Sequence, residues 1–392
     1  MSIGQLLTRG VAEVIVREEL ERRLRAGDKL RLKEGFDPSK PDLHIGHAVA
    51  LRKLRQLQEL GHTVVLIVGD WTAQIGDPSG RDEARTMLGP DEVLVNAETY
   101  MRQFFKIVDR ERTEVRWQSE WFGKFTLADV FNLTKRFTIG QMLAHETFRK
   151  RYEAGSPVTL MEMMYPLLQA YDSVAIQADV EFGGMDQKFN ILCGRELQGA
   201  IGQRPQDVVL VPLLIGTDGR KMSKSFGNTI DFDATPGDMY GKVMSLADSV
   251  LFDYLWLVTD VPEAEIEEMR RAVGRGANPR DLKMRLGREI VAQFHGQEAA
   301  REAETAFVRV FQRQETPEEM PEHALAGHVS VLDAIVAAGV ARSKSEARRL
   351  VEQGGVYIDG MRIEEAEAGV TPRPGGSVLR VGRRRFVRLV QG

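Results

Sequence analysis

The 392-residue chain has one cysteine, Cys193, so no disulfide can form within it, which points to a reducing, cytoplasmic setting. No apolar run approaches the roughly 20 residues that a membrane helix needs. The N-terminus, Met1-Ser2-Ile3-Gly4-Gln5, has no basic segment ahead of an apolar one, so no signal peptide is expected. No Cys/His cluster offers metal-ligand spacing. The net charge, −4, is too small to argue for a nucleic-acid partner. At 43% hydrophobic and 28% charged, a chain of this length predicts two or three domains, because single cores rarely grow past roughly 250–300 residues.

Charge is present, but unevenly. From Val331 to Gly392 there are eleven Arg or Lys against seven Asp or Glu, so this end carries +4 and the remainder −8. The excess peaks at Arg383-Arg384-Arg385 and Arg388. Such a cluster is commonly a solvated surface; it is also what phosphate contacts require.

The chain is organised around Asp42-Leu43-His44-Ile45-Gly46-His47. Before it, Leu30 to Phe36 alternates apolar and polar residues as a strand does, and Asp37-Pro38-Ser39-Lys40-Pro41-Asp42 is rich in turn formers. After it, Val49, Leu51, Leu54, Leu57 and Leu60 recur at helical spacing up to Gly61. A strand–turn–helix junction aims free backbone N–H groups and the positive helix end at whatever lies above the sheet. Two imidazoles three residues apart can both donate to a phosphate, and Gly46 leaves room for a flat ring. On their own His44 and His47 read equally well as capping or core histidines. Far downstream, Lys221-Met222-Ser223-Lys224-Ser225 places two lysines in a Gly-flanked loop, where mobile point charges can meet charge developing on phosphates.

Along the rest of the chain, residues 1–28 read as helical. Thr63 to Val68 is a β-branched run suited to a strand buried on both faces. Ligands of doubly wound sheets bind beyond the carboxyl ends of such strands, which places Asp70 and Asp77 near substrate; Asp77, just before a proline, also reads as a turn residue. Residues 91–150 are mostly helical. Tyr165, Gln169 and Asp172 stand at i, i+4 and i+7, lining either a small polar pocket or a solvated helix face. Val174 to Val180 is strand-like and leads to Glu181-Phe182-Gly183-Gly184-Met185-Asp186-Gln187; Val208 to Ile215 is the next strand. Pro236 to about Thr316 is helical, and Gln314 to His328, rich in Pro and Glu, reads as a linker. Ser343 caps a helix carrying Lys344, Arg348 and Arg349, and a terminal hairpin surrounds Gly382-Arg383-Arg384.

The two motifs match the HIGH and KMSKS sequences of class I aminoacyl-tRNA synthetases, the second letter for letter. Nearly the whole chain resembles the bacterial tyrosyl-tRNA synthetases. The resemblance implies an α/β fold: a Rossmann-like, doubly wound parallel sheet in a catalytic domain (1–232), with a homodimer-forming insertion at about 121–150. An α-helical domain facing the anticodon arm (233–316), a linker (317–328) and a small α+β S4-like RNA-binding domain (329–392) follow. It implies activation of tyrosine by ATP to tyrosyl-adenylate and pyrophosphate, then transfer to the 3′-terminal adenosine of tRNA(Tyr), without a covalent enzyme intermediate. Catalytic roles fall to His44, His47, Lys221, Lys224 and Ser225. ATP or adenylate is held by Gly35, Asp37, Ser39, Gly46, Gly184, Asp186 and Met222, and tyrosine by Asp70, Asp77, Tyr165, Gln169, Asp172 and Gln187. RNA contacts fall to Lys344, Arg348, Arg349, Arg383, Arg384 and Arg385. Mg2+ is expected to arrive with ATP rather than in a protein cage. Some members carry a tyrosine two residues before the glycine of Gly35-Phe36-Asp37-Pro38; here Lys33 stands there. Tryptophanyl-tRNA synthetases, another nucleotidyltransferase and a non-catalytic RNA-binding paralogue are the competing readings. The polar stripe and the S4-like tail favour tyrosine; the intact motifs favour catalysis.

Overall fold

A computed structural model describes residues 2–39, 42–79, 88–223, 226–312, 320–382 and 385–392. The chain divides into two compact units, Met1–Gly296 and Gln297–Gly392. No described helix is long and apolar enough to cross a membrane.

The first unit is built on a six-stranded sheet: β1 (Glu13–Ile15), β2 (Arg31–Phe36), β3 (Thr63–Val68), β4 (Thr113–Trp117), β5 (Val180–Gly184) and β6 (Asp207–Val211), in the order β1-β6-β5-β2-β3-β4. All but β1 run parallel. Val64 to Val68 are buried, as an apolar β-branched run covered by helices on both faces must be. Strand order reverses between β2 and β5, and such a reversal opens a crevice at the carboxyl ends of the strands. The helix Ile45–Glu59 follows β2, burying Val49, Leu51, Leu54 and Leu57; the helices Leu160–Ala175 and Lys188–Ala200 flank β5.

Three expectations are corrected. Residues 1–28 are not all helical: β1 pairs antiparallel with β6, Val14 opposite Val209, and left-handed Val16 (φ 63°) turns the chain into the helix Arg17–Ala26. Val174 belongs to the end of a helix, and β5 begins only at Val180. The strand from Val208 stops at Val211, since Pro212 has no N–H to extend the ladder. Helices between Pro236 and Gly296 share the first unit with the sheet. Arg9 donates to four carbonyls, those of Leu255, Trp256, Thr259 and Val261, and Tyr254 donates to the carbonyl of Ile215. The long helix Pro279–Gln312 is interrupted at Gly296, whose φ is 88°.

The second unit holds β7 (Glu322–Leu325), β8 (Val329–Ser330), β9 (Val356–Ile358), β10 (Met361–Arg362), β11 (Gly369–Val370), β12 (Ser377–Val381) and β13 (Arg385–Gln391). Five form one sheet in the order β10-β9-β12-β13-β7, and β8 pairs with β11. The helices Val331–Ala337 and Lys344–Glu352 share with it a core of Leu332, Ile335, Val351, Leu379 and Leu389. The expected hairpin is β12–β13, with Leu379 opposite Val387. The expected linker, 317–328, is corrected in part: Glu322–Leu325 is an edge strand parallel to β13.

Candidate active site

A cleft of about 340 Å³ opens where β2 and β5 part, and fifteen of the expected residues line it: His44, His47, Lys221, Gly35, Asp37, Ser39, Gly46, Gly184, Asp186, Met222, Asp77, Tyr165, Gln169, Asp172 and Gln187. Lys224 and Ser225 lie outside the described residues. Asp70 is placed elsewhere: its carboxylate accepts the N–H of Ser119 at 3.1 Å, while Gly69 and Thr72 take the position beside the cleft. The chain turns sharply there, and a Cβ at Gly69 would collide with the side chains of Asp37 and Thr72.

Among the lining residues are cationic and imidazole groups. His44, in extended conformation (φ −128°, ψ 167°), caps the helix Ile45–Glu59. Its ring lies 4.1 Å from that of His47, and Nδ1 of His47 lies 3.2 Å from both the amide nitrogen and the carbonyl oxygen of His44. A Cβ at Gly46 would press on the His44 ring at 3.0 Å and reach Met222 Sδ at 3.7 Å. Gly46 therefore preserves the histidine's position, in addition to leaving space. Lys221 Nζ donates to Asp186 Oδ2 at 2.8 Å. Buried Asn228 clasps the base of that loop, accepting the Ser223 N–H at 2.7 Å and donating to the Lys221 carbonyl at 3.1 Å.

The lining also holds acceptors. Tyr165 Oη donates to Asp37 Oδ2 at 2.8 Å, and Thr72 Oγ1 donates to Asp37 Oδ1 at 2.6 Å. Gln187 donates to Asp77 Oδ2 at 2.7 Å. Asp172, buried, accepts from Gln118 Nε2 at 2.8 Å and from Trp121 Nε1 at 3.1 Å, one bond to each oxygen. A carboxylate with one donor on each oxygen keeps lone pairs for a third. Burial pushes its carboxyl up to about 7, opposed by nearby Lys33. Desolvation also raises Asp77, and it holds the Tyr165 phenol well above its ordinary range.

Several cleft residues escaped the sequence reading. Gln118 and Thr72 line the cleft but carry no signal in the sequence. Glu34, buried with Oε2 unpaired, is pushed well above the carboxylate range by desolvation and then by Glu181. Lys33 and Glu181 pair at 2.9 Å, both essentially without solvent. A signal did exist for these: charged residues inside strands that must be buried on both faces need partners.

In the second unit, Lys344 Nζ contacts Asp333 at 2.6 Å and Arg348 contacts Glu367 at 2.5 Å. Arg349 is exposed, and Arg385 donates to the carbonyl of Val340. Arg383 and Arg384 lie outside the described residues.

With that geometry in place, comparison with known proteins gives a consistent result. Residues 25–312 match the family model for class I tRNA synthetases (W and Y), and residues 312–388 match the tyrosine–tRNA ligase SYY-like C-terminal domain. The chain is 55% identical to the tyrosine–tRNA ligase of Dehalococcoides mccartyi, covering 99% of this chain and 98% of that one. It is 53% identical to the Thermotoga maritima enzyme of the same name, covering 99% and 97%. Among solved structures, a C-terminally truncated Coccidioides posadasii mitochondrial tyrosyl-tRNA synthetase superposes with TM-score 0.63 at 26% identity, over 77% of this chain and 90% of that one. The Archaeoglobus fulgidus enzyme, solved with L-tyrosine, gives 0.62 at 23% identity over 76% and 98%, a likeness of fold.

Proposed function

The chain belongs to the tyrosine–tRNA ligase family, and we propose that the cleft serves both halves of that reaction by offering its cationic groups to phosphate and its acceptors to tyrosine. A tyrosine carboxylate oxygen attacks the α phosphorus of ATP; the bond to the β-phosphate oxygen breaks, and pyrophosphate leaves. The terminal hydroxyl of the tRNA then attacks the activated carbonyl carbon, and AMP departs. Catalysis rests on positioning and on preorganised charge.

The observation that carries the assignment is the polarity of the cleft. Asp77, the Tyr165 hydroxyl and Gln169 offer acceptors to an ammonium, and Asp172 offers one to a phenolic hydroxyl. His44, His47 and Lys221 face the triphosphate, with Lys224 and Ser225 assigned there from the motif. Gly35, Asp37, Ser39, Gly184, Asp186 and Met222 are assigned to the adenylate. Asp37 is also bonded to Tyr165, so it links the two sites. We take Mg2+ to enter on ATP, a hard cation already held by phosphate oxygens and water.

The exposed apolar residues Leu127 (67%), Phe131 (61%) and Ile139 (64%) support a homodimer through about 121–150. The helix bearing Lys344, Arg348 and Arg349, together with Arg383 to Arg385, is assigned to tRNA phosphates. We place the enzyme in the cytoplasm, where its substrates are made. The deciding experiment is ATP–pyrophosphate exchange with each of the twenty amino acids: tyrosine-dependent exchange is expected, and exchange with tryptophan alone would overturn the substrate assignment.

A further inference from the structure

Lys33 occupies the place where some family members carry a tyrosine, and it is wholly buried. A lysine without water must spend all three donors. Lys33 Nζ reaches the Gln169 carbonyl at 2.8 Å, Ser173 Oγ at 2.7 Å and Glu181 Oε1 at 2.9 Å. Glu181 is equally committed. Its Oε1 also accepts from the Gln169 side-chain amide at 3.2 Å, and its Oε2 accepts from Ser173 Oγ at 3.1 Å and from Gln206 Nε2. β2, β5 and the helix Leu160–Ala175 are thus joined directly beneath the cleft. The helix Lys188–Ala200 closes over the same group at Gly194, where a Cβ would lie 2.9 Å from Ser173 Oγ and Gln206 Nε2.

We infer that Lys33 and Glu181 are positioning residues: their buried pair fixes the side-chain amide of Gln169 with its carbonyl oxygen as the group offered to the cleft, so that the pocket selects substrates bearing a free ammonium. A carboxylate has no proton to give, so the amide beside it must present its NH₂ side. The other branch of the same amide is the oxygen, and an oxygen serves a cation. Were residue 181 to turn an NH₂ toward Gln169, that amide would present its oxygen inward and its own NH₂ to the ammonium. Lys33 is the counter-charge that Glu181 meets where no water reaches it. The inference rests on the tyrosine reading of the cleft and deepens it.

The test compares tyrosine with 3-(4-hydroxyphenyl)propionate, which lacks only the amino group. In Lys33→Met with Glu181→Gln, where Gln206 Nε2 holds the new amide's oxygen and leaves its NH₂ facing Gln169, the dissociation constant for tyrosine should rise roughly 10- to 100-fold, the scale of a hydrogen bond to a charged group. That for the desamino analogue should move less than threefold, and KM for ATP should hold. Equal weakening of both ligands would mean a merely structural role and would overturn the inference, as would no change in either. If that variant proves insoluble, the charge swap Lys33→Glu with Glu181→Lys, which puts a donor before Gln169, carries the same expected ratio and the same overturning outcomes. If the parent enzyme activates tryptophan instead, the substrate reading fails separately, and the comparison is made with tryptophan and its desamino analogue.

Discussion

Lys221 Nζ and Asp186 Oδ2 lie 2.8 Å apart, tying the lysine loop to the turn that follows β5. The lysine side chain is 50% exposed, so this bridge contributes no more than about 1 kcal/mol and yields readily to a phosphate. Replacing Lys221 with alanine should therefore slow single-turnover formation of tyrosyl-adenylate by about 10²–10³-fold, the size expected for one preorganised donor to developing charge. The melting temperature should shift by only a few degrees. A large loss of stability with the rate intact would assign Lys221 to structure instead.

The His44 ring, its cap position and Gly46 act as one device. His44→Ala and His47→Ala should each cost about 10²–10³-fold in adenylate formation, with tyrosine affinity nearly unchanged because these groups are assigned to ATP. Gly46→Ala should reproduce much of that loss without removing either imidazole, since its Cβ would push the His44 ring from 3.0 Å away. Stopped-flow adenylation of the three variants decides this; an unimpaired Gly46→Ala enzyme would show that the ring's position is not critical.

Asp172 links recognition to pH. Its ordinary value is 3.8 and burial lifts it to about 7. Below about pH 4 the group is protonated in both folded and unfolded chains. Between about pH 4 and 7 only the unfolded chain ionises, so this residue lowers stability by up to roughly 1.4 kcal/mol per pH unit, and above pH 7 the loss is complete. Asp172→Asn removes that slope: from pH 5 to 7 the melting temperature of the mutant relative to the parent should rise. Asp172→Ala should also reduce the preference for tyrosine over phenylalanine by about tenfold or more, since the hydroxyl loses its buried acceptor. Parallel melting curves and an unchanged preference would remove Asp172 from the pocket.

Much of this site was legible in the sequence because its elements are local. The histidine pair, the spacing of Val49, Leu54 and Leu57, and the stripe Tyr165–Gln169–Asp172 each lie within one helix and its cap, where 3.6-residue periodicity decides what faces the cleft. What stayed hidden depends on partners distant in the chain. Lys33 and Glu181 explain each other only once β2 and β5 are adjacent. Asp70 and Thr72 are two residues apart, and only the turn at Gly69 determines which lines the cleft. β1 and β7 are three- and four-residue edge strands; Glu322-His323-Ala324-Leu325 contains no β-branched residue, and its conformation is imposed by pairing with β13.

That pairing determines how the C-terminal sheet should be removed. A cut at residue 328 leaves β7 behind without β13, stranding an unpaired edge that invites aggregation. A cut after Gln312, where both family matches also meet, removes the sheet whole. The enzyme ending at Gln312 should keep tyrosine-dependent pyrophosphate exchange within a few-fold of the parent, because every described adenylation residue lies between Gly35 and Met222. Transfer to tRNA should fall sharply. In the full chain, Arg349→Ala should lower the slope of log affinity against log salt by roughly 0.7–0.9, as losing one phosphate contact does. Arg348 is already paired with Glu367, so Glu367→Ala should free it and tighten tRNA binding rather than weaken it. If the shortened enzyme charges tRNA as the parent does, at both low and high salt, the second unit is not the RNA contact assigned here.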